Sequence, residues 1–539
     1  MSKLFERLVE KRGFSTLFLN PRYEDLKDPF ILPDMKKAVE RIEKAINDGE
    51  KILIYGDYDV DGVTASTVME QALVMAGVEP AKIEIMLPDR FADGYGMSSE
   101  LVKRAKKQKI NLVITVDCGS RNHQIIDELN NLEIDSIITD HHEVGDSLPD
   151  SIAVINPKRN DSSDEDLREL AGVGVAFKLA QALVKEGLIR EGQEKWLLDL
   201  VLIGTICDSM LLTGENRIIG HYGIKVLEKT KRVGLRELMQ RAGVKKLNSE
   251  SIGFQIGPRL NAAGRLDTAN ISLELLRAKS SAEAAELAEK LESLNKKRKN
   301  EQNIATREIE ARGISDEPVI IEVGNWHEGI LGIVAGRLVD KYKKPAFVLA
   351  ETSADGVLKG SGRSFGDFNL ALALDFVNDL IITGGGHAAA AGVKLKRENL
   401  YSFRERINDY YRSLNLENQE RFLKKQPDLD VENISELILE FLEELKSLEP
   451  FGLGNEEPIF RLMNVQIIEK RKMGTEGQHL RLDVKGKDGK AIKLVAFYAP
   501  EKWLNLEYDD TIEPIVQLVE NEFNGVRSVE ARIIDIWYN

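Results

Sequence analysis

Cysteine is scarce. The 539-residue chain carries two, Cys118 and Cys207, which excludes a disulfide framework and a cysteine-based zinc site. Long apolar runs are also missing: none approaches the roughly 20 residues of a membrane helix. Met1 to Arg7 has no apolar signal core, so the expected compartment is the cytoplasm, with no membrane contact. Nor is there an excess of positive charge. The formal net charge is −15, which argues against a general basic coat for nucleic acid. A local patch can still hold phosphates, and metal-binding carboxylates would form part of the negative count. What is there, 42% apolar and 30% charged residues, describes a globular chain of roughly two to four domains.

Residues 1–50 read as leader helices, with Met35, Val39, Ile42 and Ile46 on one face of the segment from Pro33 to Asp48. Residues 51–279 read as α/β. Strands are predicted at Lys51–Tyr55, Ile83–Leu87, Leu112–Val116, Ser136–Thr139 and Ala153–Ile155, with helices between and after them. Near-continuous Val/Ile/Leu strands alternating with helices imply a parallel sheet covered on both faces. Residues 280–313 hold no Gly or Pro before Gly313, and Ser280 with Glu283 forms a capping box, so one long connecting helix is predicted. Residues 314–400 repeat the α/β style on a smaller scale, with glycines crowding the element ends. Residues 401–450 read as a helical linker in which Asn433 to Leu448 is amphipathic. Over 451–539, five short strands predict an OB-type β-barrel.

Tyr55-Gly56-Asp57-Tyr58-Asp59-Val60-Asp61-Gly62 places three carboxylates in five residues just past a buried strand, where α/β sheets bind ligands. Such crowding is self-repelling unless a cation sits within it. Alone, the stretch reads equally well as a solvated turn. Other element ends weigh against that reading. Asp117 follows the third strand, Asp140-His141-His142 the fourth, and Asp208 an apolar helix. A lone His is usually structural. Two in succession after an Asp offer one metal ligand and one neighbour that supports it or contacts phosphate. Carboxylates from four places with one or two His suit two Mn²⁺ or Mg²⁺ ions, and a pair of such ions serves phosphoester or phosphoanhydride hydrolysis. Cys118 and Cys207 adjoin candidate ligands but read as small packing residues.

Asp140-His141-His142 is the signature of the DHH phosphoesterases, and Tyr55–Thr64, Val116–Gly119 and Asp208 resemble the other metal-site motifs of that superfamily. More narrowly, the chain resembles the RecJ family of bacterial single-strand-specific exonucleases. The likeness is carried in order by Pro88–Gly96, Gly257–Leu266, Trp326–Ala335 and Gly385–Gly392, and it runs from near Lys51 to Lys394 with the barrel beyond. The resemblance implies a DHH catalytic domain, a smaller DHHA1-type domain joined to it by the long helix, and an OB-type barrel. It implies 5′→3′ degradation of single-stranded DNA to 5′-mononucleotides, with Mn²⁺ or Mg²⁺, in recombination and repair. The family's metal ligands fall on Asp57, Asp59, Asp117, His141 and Asp208, with His142 close by. Many DHH proteins carry a His four residues before the first Asp of an Asp-x-Asp pair. Here that place, counted from Asp59, is Tyr55, so Asp57, Asp59 and Asp61 all stand as ligand candidates. Asp140 and His142 complete the candidate catalytic set.

Arg90, Ser361 and Arg363 lie in segments similar to those that hold a 5′-terminal phosphate in the family, although Arg90 alone would read as a surface ion pair. Arg259, Asn261 and Arg265 form a polar cluster in an apolar-rich stretch and read as contacts to the scissile phosphate or the strand path. His387, after three glycines, and His327 read as substrate-binding. The terminal strands offer Phe497, Tyr498, Trp503 and Arg481 to a single strand, though each aromatic taken singly reads as core. His123, His221 and His479 match no motif and read as surface or packing residues. The expected partner is single-stranded DNA with a free 5′ end, with a helicase and a single-strand-binding protein alongside a monomeric enzyme. Two alternatives differ in class. A phosphodiesterase for nano-oligonucleotides or cyclic dinucleotides would not need the terminal barrel, and a non-catalytic nucleic-acid scaffold would have lost the metal ligands.

Overall fold

The apolar run after Lys51 becomes strand β1 (Ile52–Tyr55), buried along its length. The protein is described by a computed structural model covering residues 1–90, 96–351, 356–416, 422 and 425–537. Four more strands join β1: β2 (Ile83–Met86), β3 (Leu112–Val116), β4 (Asp135–Thr139) and β5 (Ala153–Ile155). Their order is β2-β1-β3-β4-β5, and every pair is parallel. Leu53, Tyr55, Val113, Ile138 and Val154 pack on the helices Ser99–Gln108 and His123–Asn130. Helices Val60–Met75 and Gly172–Lys185 also pack against strands of this sheet. Apolar burial on both faces explains why these strands lack polar alternation. The register sets Tyr55 beside Thr115 and Val116 beside Thr139, so Asp57, Asp117 and Asp140 all leave the sheet at one edge.

The leader is not a loose appendage. Helix Lys3–Arg12 sends Leu4, Phe5 and Leu8 into the core of the C-terminal strands, beside Phe441 and Phe460. Arg12 binds Asp428 through two hydrogen bonds of 2.7 and 2.9 Å. Buried Arg217 donates to the carbonyls of Ser447, Leu448 and Glu449 at 2.9, 2.9 and 2.6 Å. Residues Met1–Gly257 and Lys425–Asn539 accordingly form one unit, and Pro258–Lys424 another.

In the second unit, β6 (Ile320–Gly324), β7 (Ala346–Glu351), β8 (Val357–Arg363), β9 (Ile381–Gly386) and β10 (Ala390–Lys396) form a sheet of order β6-β7-β8-β10-β9. Only β6–β7 is parallel. Of the glycines expected at element ends, Gly360, Gly362 and Gly384 to Gly386 lie inside β8 and β9, whereas Gly366 lies in the turn after β8. A Cβ built on Gly362 would sit 2.7 Å from the Phe347 ring, so glycine there permits close approach of a core aromatic. The long helix is Ser281–Arg312, capped by Ser280 Oγ, which accepts from the Glu283 amide. It lies wholly within this unit and contributes Ala305 and Ile309 to the core around Val334 and Leu338.

The remaining strands are β11 (Leu429–Val431), β12 (Phe460–Leu462), β13 (Val465–Met473), β14 (His479–Lys485), β15 (Ala491–Ala496), β16 (Thr511–Phe523) and β17 (Val526–Trp537). Pairing runs β16-β13-β14-β15-β17-β16, with only β15–β17 parallel within that circuit. The circuit is pinned by two short contacts, Val465–Gln466 on β16 and Leu494–Val495 on β17. It is thus an OB-type arrangement rather than an evenly closed barrel, and β12 and β11 extend it to seven strands. The amphipathic segment expected from Asn433 to Leu448 is helical only over Leu439–Lys446, after a short turn at Ile434–Glu436.

Candidate metal centre

Five places in the first unit deliver the candidate ligands. Asp57 follows β1, and its Oδ1 accepts from the Tyr58 amide at 2.8 Å. Asp59 caps the helix Val60–Met75 by accepting from Gly62 N at 3.0 Å. Asp117 follows β3 in the left-handed region, φ 62°, which few non-glycine residues adopt outside special sites. His141 follows Asp140 at the end of β4, and Asp208 follows the helix Leu198–Cys207.

The side chains converge. His141 Nε2 lies 3.1 Å from Asp117 Oδ1, 3.5 Å from Asp208 Oδ2 and 3.8 Å from Asp61 Oδ2. Potential ligand atoms fall into three groups, each within 4.8 Å: Asp57–Asp59–Asp117, Asp61–His141–Asp208 and Asp117–His141–His142. Shared members link the three. Gly172 is needed beside them, because a Cβ there would lie 2.4 Å from Asp117 Oδ1.

Asp61 and Asp140 are occupied differently. Asp61 accepts from the amides of Gly172 and Val173 at 2.7 and 2.9 Å, anchoring the start of the helix Gly172–Lys185. Asp140 Oδ1 accepts from the amides of His141 and His142 and contacts His142 Nδ1 at 2.9 Å, while Oδ2 accepts from the Ser120 amide. Asp140 therefore fixes the loop and the His142 ring. Tyr55 is fully buried in the apolar layer, and its hydroxyl donates to the Gly96 carbonyl at 3.0 Å.

The electrostatics call for a cation. Burial, then Asp59, pushes Asp57 up to about 8 and Asp61 up to about 7. Burial, Asp61 and Asp59 push Asp208 up to about 8, and burial with four neighbouring carboxylates raises Asp117 well above its usual range. His141 falls to about 3 through burial and the charge of His142, so the ring is neutral and able to ligate. Burial works against the charge of His142, but the Asp140 hydrogen bond outweighs it and raises His142. Against burial, the same bond holds Asp140 below the carboxylate range. Among the described residues, Asp117 Oδ1 and His141 Nε2 are buried with no hydrogen-bond partner. Buried orphans of this kind are costly. Oxygen-rich donors with one imidazole fit a hard divalent ion shared between them.

Residues that the motifs did not flag support the centre. Asn156 follows β5 and donates to Ser120 Oγ and the His142 carbonyl at 2.8 and 2.9 Å. It obeys the same rule as the ligands, a polar residue immediately after a buried strand. Arg90 lies over the Tyr58 ring, 4.9 Å from its centroid. Phe91 to Tyr95 of that motif fall outside the described residues. Cys118 is buried beside the Tyr55 carbonyl, and Cys207 lies against Gly257.

The other candidates belong to the second unit. Arg265 donates to the Gly329 carbonyl at 3.2 Å, and His327 Nδ1 accepts from the Gly329 amide at 3.1 Å. Arg363 donates to Ser361 Oγ at 3.2 Å, and both lie close to Gly332 in the first turn of helix Leu331–Tyr342. Arg265, His327, Ser361 and Arg363 thus gather at one helix start. Arg259 is instead engaged by Glu292 at 2.6 Å. Asn261 Oδ1 is buried with no partner among the described residues. His387 is exposed just past β9, the edge strand.

Three family profiles match: "DHH family, N-terminal domain" over residues 51–205, "DHHA1 domain" over 316–413 and "RecJ OB domain" over 428–535. The single-stranded-DNA-specific exonuclease RecJ of Bacillus subtilis is 37% identical over 546 residues, covering 99% of this chain and 68% of that protein. Its counterpart in Escherichia coli is 32% identical, with 94% and 90% covered. The crystal structure of RecJ in complex with Mn²⁺ from Thermus thermophilus matches with a TM-score of 0.84 at 28% identity, covering 100% of this chain and 76% of that one. A Mg²⁺ complex from the same organism matches with a TM-score of 0.79. With three domain profiles in order and full-length relatives above 30% identity, the chain belongs to the RecJ family of single-stranded-DNA-specific exonucleases within the DHH superfamily.

Proposed function

We propose that this chain is a metal-dependent exonuclease that degrades single-stranded DNA from the 5′ end to 5′-mononucleotides. The observation that carries the reading is the convergence of Asp57, Asp59, Asp117, His141 and Asp208 around the two orphaned atoms, Asp117 Oδ1 and His141 Nε2. These five residues would hold two divalent ions, Mn²⁺ or Mg²⁺, with Asp61 bracing the site through its bonds to the helix Gly172–Lys185. Ions bound there supply Lewis-acid charge to the scissile phosphate and an activated water.

The protein's own groups do the rest. His142, about one-third exposed and held by Asp140, presents positive charge to the phosphate oxygens. Asn156 and Ser120 keep that loop from turning. Arg90, steadied over Tyr58, offers a fork of donors to a terminal phosphate. Ser361 and Arg363, at the start of a twelve-residue helix, have the chemistry of an anion cradle, with Arg265 and His327 beside them. Arg259 holds the long helix through Glu292, and Asn261 and His387 contact the strand. Residues 51–279 act as the catalytic domain, 314–400 as the substrate-binding domain behind the 280–313 helix, and 451–539, after the 401–450 linker, as a single-strand grip. A cytoplasmic monomer working with a helicase and a single-strand-binding protein completes the reading. Its support is that a strand must be unpaired before it is digested, and that no described helix is long and apolar enough to cross a membrane.

Digestion of 5′- and 3′-labelled strands of DNA and RNA with Mn²⁺ tests the proposal. The expected first product is a labelled mononucleotide from the 5′-labelled DNA. Mononucleotides released first from the 3′ end would refute the polarity.

A further inference from the structure

Over residues 221–246, eight lysines and arginines stand against two carboxylates, the reverse of the balance in the chain as a whole. Three of the eight are answered. Arg232 binds Asp199 at 3.0 Å, Arg241 binds Glu237 at 2.7 Å and Lys246 binds Glu449 at 2.9 Å. Lys225, Lys229, Lys231, Arg236 and Lys245 are exposed, and among the described residues no carboxylate engages them. Like charges gathered in this way repel one another unless an anion sits among them. Aromatic rings hold several of the lysines in place. Lys231 Nζ lies 5.2 Å from the centre of the Trp196 ring, Lys195 Nζ 4.2 Å from that of Tyr23 and Lys225 Nζ 5.1 Å from that of Tyr222. Tyr23 and Tyr222 meet edge to face with centroids 5.9 Å apart, and Lys195 adjoins Trp196 in the chain, so the three pairs form one continuous surface. Contacts of this kind position an ammonium group without neutralising it.

The surface lies away from the metal centre. Arg232 anchors it to Asp199, in the first turn of the helix Leu198–Cys207, and donates to Gln71 Oε1 at 2.9 Å, near the end of the helix Val60–Met75. Asp208 follows the opposite end of the first helix, and Asp59 caps the opposite end of the second. Helices of ten and sixteen residues span about 15 and 24 Å. The patch is therefore out of reach of the phosphate being cleaved, and DNA meeting it lies several nucleotides from the reacting end. What the surface offers selects its ligand. Each ring already carries a lysine on a face, so the rings serve as rests for ammonium groups and not as platforms for unpaired bases. Lysines that contact phosphates read no sequence. Charge is what remains, and duplex DNA presents the denser row of phosphates, one charge per about 1.7 Å of axis.

We propose that Lys225, Lys229, Lys231, Arg236 and Lys245 form a docking surface for the backbone of duplex DNA, the paired region that flanks the single strand under digestion. The proposal rests on the exonuclease reading for its choice of DNA and adds a second contact on the far side of the catalytic domain. The test is fluorescence anisotropy of the full chain in EDTA, with a labelled blunt-ended duplex of about 20 base pairs and, separately, a labelled single strand of the same length. The wild type is expected to bind the duplex with an affinity that falls linearly in the logarithm of salt concentration. The Lys225→Glu/Lys229→Glu/Lys231→Glu variant should bind it about 10-fold more weakly or worse, with a salt slope shallower by about three. Its single-strand affinity, its release of mononucleotides with Mn²⁺ and its circular dichroism spectrum should match the wild type. A wild type that does not bind the duplex, or a variant within twofold of it at an unchanged salt slope, would overturn the proposal. So would a variant that loses the single strand but keeps the duplex, or a wild type that binds polyglutamate more tightly than the duplex through the same lysines, which would assign the patch to an acidic protein. Failure of the wild type to digest the single strand is a separate result, and it would remove the exonuclease reading itself.

Discussion

Asp117 bears the most conflicting demands of any residue here. It is left-handed, fully buried, surrounded by carboxylates, and has one oxygen without a hydrogen bond among the described residues. Strain and repulsion of this kind persist where function requires them. Asp117→Asn keeps the shape, and Asn tolerates the left-handed conformation. That variant should raise the metal-free stability while losing hydrolysis and the thermal protection given by Mn²⁺. Calorimetry with and without Mn²⁺ checks both effects. The same crowding sets a pH dependence. Asp57, Asp61 and Asp208 have folded-state values of about 8, 7 and 8, far above those of an unfolded carboxylate. The folded, metal-free protein therefore binds more protons than the unfolded chain, and stability falls as pH rises. His141, lowered to about 3, acts in the opposite direction, but only below its unfolded value near 6.5. Between about pH 6.5 and 8 every shifted group of the centre that still titrates acts in one direction. The metal-free melting temperature should fall across that window, and Mn²⁺ should raise it more at pH 8 than at pH 6.5.

At the scale of elements, burial decided what could be read in advance. β1, β3 and β4 are apolar on both faces and announce themselves, and the residues at their ends could be named from the chain alone. β8 and β9 hide because Gly360, Gly362 and Gly384 to Gly386 look like loop residues. Their place in a sheet depends on partners such as Phe347, far off in sequence. Asn156 was within reach of the strand-end rule, but a single Asn carries little signal beside Asp-His-His. Phe497 and Tyr498, each expected to be core, are exposed, whereas Trp503 is buried. That division could not be read, since an aromatic beside a strand looks the same facing in or out. The pairing of Arg259 with Glu292 was hidden for a similar reason, because which cations are already engaged is a matter of packing. Arg217 is the clearest long-range case: its guanidinium binds three consecutive carbonyls and lies over Phe18 at 4.6 Å. Arg217→Ala would orphan those carbonyls and open a cavity, and should destabilise the first unit by about 3–5 kcal/mol, measured by urea unfolding.

For the whole molecule, the net charge of −15 and a polyanionic substrate are compatible because the charges are local. The carboxylates of the centre demand cations, and cations sit at the other candidate contacts, Arg90, Arg265 and Arg363. A chain of this kind should be nearly inert on DNA without divalent ions and should lose affinity steeply as salt rises. The most direct measurement is the rate of 5′-mononucleotide release from 5′-phosphorylated single-stranded DNA with Mn²⁺, for wild type and for His141→Ala. The expected result is robust release by the wild type and a loss of at least about 10²-fold in the variant, with its fold intact by circular dichroism. Release by His141→Ala within a fewfold of wild type would contradict a hydrolytic centre built on His141 and the carboxylates around it.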